Sequence, residues 1–201
     1  MYFLPFFVLF ALFVTYKAKH NTAISHQKSE DYLRYEQDAN FVRKKDISGL
    51  PYIKVPLDEL PFQETTNPDL LELQDKVKEI AQTDILNLTG INNTELKYQY
   101  GAANLDRLTI CDNNFIKLSR ALFNWGMWLY KNHYVDEATQ VFEYAVSCKV
   151  DISTIYTTLA SIYYDNKEAD KIDYLKEQAT ELNTLMKESI LKSLESIQTG
   201  Q

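Results

Sequence analysis

Glycine and proline are scarce in this 201-residue chain, five of each, which excludes collagen-like and linker-dominated architectures. Histidine is scarcer still: His20, His26 and His133 stand far apart, and no ligand spacing suits a metal. Only Cys111 and Cys148 supply thiols, outside any C-x-x-C pattern. Two buried, reduced thiols are the expectation, since a disulfide would require an oxidising compartment. There is no G-x-S-x-G elbow, no phosphate loop and no glycine-rich dinucleotide turn. With these signatures missing, no catalytic residue, cofactor or small-molecule substrate is expected, and the chain reads as a non-enzyme.

Positive charge is short as well. Residues 55–201 carry 13 Lys/Arg against 23 Asp/Glu, a net −10. Nucleic acid is therefore not an expected partner, because phosphates call for a basic footprint. Residues 17–54 differ, with eight Lys/Arg against five Asp/Glu, a net +3 that suits anionic headgroups. The acidic pairs Asp136-Glu137 and Glu168-Ala-Asp170 fall at predicted helix starts. There they favour the helix macrodipole, a simpler role than acid–base catalysis.

What the chain does have is one long apolar run. Residues Tyr2 to Tyr16 read YFLPFFVLFALFVTY without a charge. As a helix, 15 residues span roughly 22 Å, short of a hydrocarbon core of about 30 Å. The flanking Lys17 and Lys19 reach further by snorkelling. Nothing basic precedes the run and no A-x-A site closes it, so an uncleaved anchor over 1–17 is favoured over a signal peptide. Lys17, Lys19, Lys28, Arg43, Lys44 and Lys45 all follow it. The expected topology is a single pass through the cell membrane, N-terminus out and C-terminal domain cytoplasmic.

The predicted organisation of the rest is a juxtamembrane helix or stalk over 18–46, its helix at about 27–44. Residues 47–67 are expected to be extended. Pro51, Pro56 and Pro61 recur every five residues there, yet Leu50, Tyr52, Ile53, Val55, Leu57, Leu60 and Phe62 are too apolar for a solvated linker. This segment is expected to lie along a helical domain over 68–201. Asn67-Pro68 marks a helix start, with Leu70, Leu73, Val77 and Ile80 on one face to about residue 85. Asn93 or Thr94 opens a short helix that Gly101 ends. Residues 101–111 read as a loop, which puts Cys111 at a helix start, where the dipole lowers a thiol pKa. Residues 168–197 read as one long helix.

The most specific signal is an internal repeat of 34 residues. Leu122 aligns with Tyr156, Trp125 with Leu159, Gly126 with Ala160, Leu129 with Tyr163, Ala138 with Ile172 and Ala145 with Ala179. The order of large and small residues is that of a helix–turn–helix unit. Gly126-x2-Leu129 followed by Ala138-x3-Phe142-x2-Ala145, and Tyr156-x2-Leu159-Ala160-x2-Tyr163, resemble the tetratricopeptide repeat family. Leu122, Val150, Ile172 and Lys176 depart from its pattern. The resemblance covers residues 112–185, in units of about 119–152 and 153–186. The layout also resembles a group of membrane-anchored proteins of clostridial-type bacteria, through Ala39-Asn-Phe-Val-Arg-Lys-Lys-Asp46 and Leu50-Pro-Tyr-Ile-Lys-Val-Pro-Leu-Asp-Glu-Leu-Pro-Phe62. That second likeness implies the anchor and the helical layout, but no activity.

The expected fold is thus all-α: an N-terminal transmembrane helix followed by antiparallel helix pairs, a tetratricopeptide-like solenoid fragment. The repeat resemblance implies protein binding along the first helix of each unit. The matching positions are Arg120, Phe123, Met127, Tyr130 and Lys131, then Thr157, Ser161, Tyr164 and Asp165. An apolar strip beside Arg and Lys suits an apolar peptide bearing an acidic group. Two alternatives remain open for these aromatics: an exposed groove, or packing under residues 47–62 or the helix from Pro68. The expected function is a membrane-anchored scaffold or adaptor. The alternatives are a structural subunit of a membrane complex and, behind it, an enzyme of unknown type.

Overall fold

A computed structural model describes residues 29–200, together with Phe10, Phe13 and Lys17. The described secondary structure is all helical. Among the described residues helix α1 includes 29–40 and is followed by α2 (Pro68–Ala81), α3 (Asn93–Tyr100), a 3-10 turn (Ala102–Asn104), α4 (Leu105–Lys131), α5 (Val135–Ser147), α6 (Ser153–Asp165), α7 (Ala169–Thr180) and α8 (Lys187–Thr199). The chain divides into two compact units. One holds the described residues up to Ile47 with Asn92–Leu105, and the other holds Ser48–Ile91 with the described residues from Asp106.

The expected transmembrane helix is overturned. Among the described residues no helix is long and apolar enough to cross a membrane. The longest, α4, has 27 residues but carries Asp106, Arg107, Asp112, Lys117, Arg120 and Lys131. Each charge at a bilayer centre costs about 3 kcal/mol. The anchor expected at 1–17 otherwise lies outside the described residues, apart from Phe10, Phe13 and Lys17.

In the first unit, α1 meets α3 through Tyr35. Its ring stacks on Tyr98 at 4.9 Å, and its hydroxyl donates to Glu95 Oε2 at 2.6 Å. Asn92 caps α3 by accepting the Glu95 amide at 2.8 Å. Gly101 ends it with φ 89°, and a Cβ there would stand 2.4 Å from the Arg43 carbonyl oxygen. Left-handed geometry and crowding both demand glycine.

In the second unit, Asn67 caps α2 by accepting from Asp69 N at 3.0 Å and Leu70 N at 3.2 Å, with Pro68 just inside. The extended segment before it packs inward. Leu60 is buried, the Ile53 amide donates to Ile85 O at 2.9 Å, and Phe62 stacks on Trp125 at 4.7 Å. Gln63 and buried Gln74 exchange two hydrogen bonds, at 2.6 and 3.0 Å. The loop expected over 101–111 is helical from Leu105, so Cys111 sits two turns inside α4 rather than at its start. The long helix expected over 168–197 is broken. Residues 181–186 separate α7 from α8, Leu185 is fully exposed, and the Thr184 hydroxyl accepts the Met186 amide.

The core follows the repeat. Leu122, Trp125, Leu129, Ala138, Ala145 and their partners Tyr156, Leu159, Ala160, Tyr163, Ile172 and Ala179 are all buried. So is Gly126, which lies against the Phe142 ring. The backbone repeats as well. His133 (φ 68°) and Lys167 (φ 63°), 34 residues apart, end α4 and α6 in left-handed geometry. The next amide then reaches back, Tyr134 N to Leu129 O at 2.9 Å and Glu168 N to Tyr163 O at 2.8 Å. This is the capping turn of a helix whose last carbonyls need donors. Helix α8 packs on both α6 and α7. It buries Ile190 and Leu194 and leaves Glu188, Lys192 and Glu195 exposed, so the stack closes on a solvated face.

Candidate functional site

The nine residues expected to line a groove lie on two helices related by the repeated turn, and eight of them pair at matching positions. Phe123, Met127, Tyr130 and Lys131 on α4 correspond to Thr157, Ser161, Tyr164 and Asp165 on α6. Phe123 and Met127 are half-buried and rest on the core. Thr157 and Ser161 are half-buried too, and their hydroxyls donate to carbonyls of their own helix, Thr154 O and Thr157 O. Tyr130 and Tyr164 stand 36% and 49% exposed. Lys131 and Asp165 are exposed beside them. Among the described residues no hydrogen bond or ion pair joins the α4 members to the α6 members.

The structure distributes part of this set elsewhere. Tyr164 and Asp165 line a cleft of about 520 Å³ with Lys167, Glu168, Ile172 and Gln198. The Tyr164 hydroxyl there faces Gly200 at the end of α8. Arg120 lines a different cleft, of about 410 Å³, between α2 and α4. That site was missed in the sequence because it depends on α2 lying against α4, which no local pattern announces. Nor did the sequence point to a cleft of about 350 Å³ between α5 and α7. There Tyr163 donates to Glu143 Oε1 at 2.6 Å under the Lys171 ammonium, 4.9 Å from the ring.

The partners of the extended segment include Ile85, Gln74, Trp125, Glu137 and the Tyr144 hydroxyl. Burial dominates the electrostatics. It pushes the Tyr163 phenol well above its ordinary value, with Glu143 adding to the effect, and does the same for Tyr156. It also raises both cysteine thiols, which are free and buried, the reverse of an activated nucleophile. Among the described residues no three His, Cys, Asp or Glu side chains gather as a metal-ligand set. Asn87, which opens an Asn-x-Thr pattern, is turned inward and donates to Cys148 O at 3.2 Å.

No known protein family, curated protein or solved structure matches the chain.

Proposed function

We propose that this chain is a protein–protein interaction module that binds a segment of its partner along the exposed faces of α4 and α6. The reading extends the resemblance to tetratricopeptide repeats from sequence to surface. The observation that carries it is the pair Tyr130 and Tyr164. Two large aromatics occupy the same position before the same turn in consecutive units, and both stay substantially exposed. Tyrosine presents contact area at low conformational cost and is enriched where interfaces concentrate their binding energy. Half-buried Phe123 and Met127 continue the apolar strip along α4.

Site-specific photocrosslinking tests this. A benzophenone amino acid replaces Tyr130, Tyr164 or, as control, Tyr174, which is 50% exposed on α7. After irradiation in extract of the native cell, the first two positions should yield the same discrete adduct and Tyr174 none. An identical adduct at Tyr174, or none at Tyr130 and Tyr164, would sink the proposal.

A further inference from the structure

The cleft between α2 and α4 runs against the charge of its surroundings. Residues 113–131 carry Lys117, Arg120 and Lys131 and no carboxylate, while residues 55–201 as a whole are net −10. Lys117 and Arg120 are exposed one helical turn apart. Among the described residues neither forms an ion pair. Like charges at this spacing repel, a penalty that a bound anion would remove.

The opposite wall is supplied by Lys76, Glu79, Ile80 and Thr83 of α2 and the turn after it. Lys76 is already engaged by Glu72 of its own helix, at 2.6 Å. The cleft therefore holds three cations against one carboxylate, Glu79. Buried Ala121 and half-buried Ile80 keep its floor apolar. Asn114 fixes one end by donating to Asp84 O at 3.0 Å, and the Thr83 hydroxyl is turned onto Ile80 O. What remains is a slot of about 410 Å³, room for one or two side chains, with two uncommitted cationic heads at its rim.

We infer that this cleft is the acid-reading subsite of the partner surface. It takes one or two Asp or Glu side chains of a peptide whose apolar residues lie on Phe123, Met127 and Tyr130. The inference rests on the interaction-module reading and adds the place where the partner's acids are read. Arg120 joins the two regions, since Phe123 and Met127 follow it on successive turns of α4. From Lys117 to Tyr130 the helix runs roughly 20 Å, the length of about six extended residues. Guanidinium and ammonium groups beside an apolar floor suit a carboxylate on a peptide. A polyphosphate carries no apolar group and would leave the floor and the adjoining strip uncovered.

The test pans a random dodecapeptide phage library on the full chain and measures the best selected peptide by fluorescence anisotropy. The enriched sequences should carry Asp or Glu next to aromatic or aliphatic residues. A Lys117→Glu/Arg120→Glu variant should bind that peptide at least tenfold more weakly, with unchanged far-ultraviolet circular dichroism. A peptide with Lys in place of its acids should recover affinity on that variant. The inference is overturned by failure to enrich any sequence, by enriched sequences without acids, or by undiminished affinity on the charge-reversed variant. It is equally overturned if oligothymidylate competes as well as the peptide. A Phe123→Ala/Tyr130→Ala variant separates the two readings. Loss there alone keeps the strip and removes the cleft, and loss with charge reversal alone keeps the cleft and removes the strip.

Discussion

Trp125→Ala is expected to lower the free energy of unfolding by about 4 kcal/mol, read as a shift in a urea denaturation midpoint at constant slope. The indole is fully buried among Leu122, Leu129 and Phe142, with Phe62 stacked on it at 4.7 Å. Among the described residues its Nε1 has no hydrogen-bond partner, and the loss is mainly one of packing. Trp125→Phe, which keeps an aromatic ring in the same place, should cost under about 1.5 kcal/mol. A Phe62→Ala, Trp125→Ala cycle should show coupling of about 1 kcal/mol, because the stacked pair holds the extended segment on the helices. If Trp125→Ala cost no more than Trp125→Phe, the indole would not be the packing centre described.

Gly126→Ala carries the second large effect. In an exposed helix this change would add roughly 1 kcal/mol of stability through propensity. Here the new Cβ would stand 2.3 Å from Phe142 Cε1 and 2.7 Å from Cδ1. The Phe142 ring is fully buried in the core, so a shift of the ring would have to displace its packed neighbours. Overpacking should outweigh propensity and give a net loss of about 2 kcal/mol. A smaller side chain at 142 should restore much of it, so Gly126→Ala/Phe142→Leu is expected to be more stable than the sum of the single changes. Stabilisation by Gly126→Ala alone would mean that α4 and α5 do not approach as closely as described.

These two sites also show which features could be read from the sequence. Gly126 stood out because it aligns with Ala160 across the 34-residue repeat, and a small residue in a row of large ones marks a close helix crossing. The all-helical class was legible from apolar spacing. The start of α2 was legible because its signals, Asn67 and Pro68, are adjacent in the chain. Gly101 as a helix stop was equally local.

Features that depend on remote partners were not legible. Residues 101–111 read as a loop with a helix starting near Cys111, whereas α4 begins at Leu105. In the structure Asp112 Oδ1 accepts from Leu88 N and Asn114 donates to Asp84 O, so both serve the chain segment that crosses α4. Leu175, Leu182 and Ile190 kept a helical rhythm across a break at which Leu185 and Met186 are exposed. Arg120 belonged to the right helix but lines the cleft with α2, because its place depends on how two helices pack. The transmembrane expectation came from the uncharged run over residues 2–16 and its basic flank, and no described helix is long and apolar enough to cross a membrane.

The most direct test of the central claim follows the two exposed tyrosines themselves. The chain is labelled with 3-fluorotyrosine, and the fluorine resonances of Tyr130, Tyr164 and Tyr174 are assigned by single Tyr→Phe substitutions. The spectrum is then recorded with and without the captured partner or the selected peptide. A partner lying along α4 and α6 predicts that the Tyr130 and Tyr164 resonances move on binding while that of Tyr174 stays in place. Saturated binding with Tyr130 and Tyr164 unmoved would contradict the account.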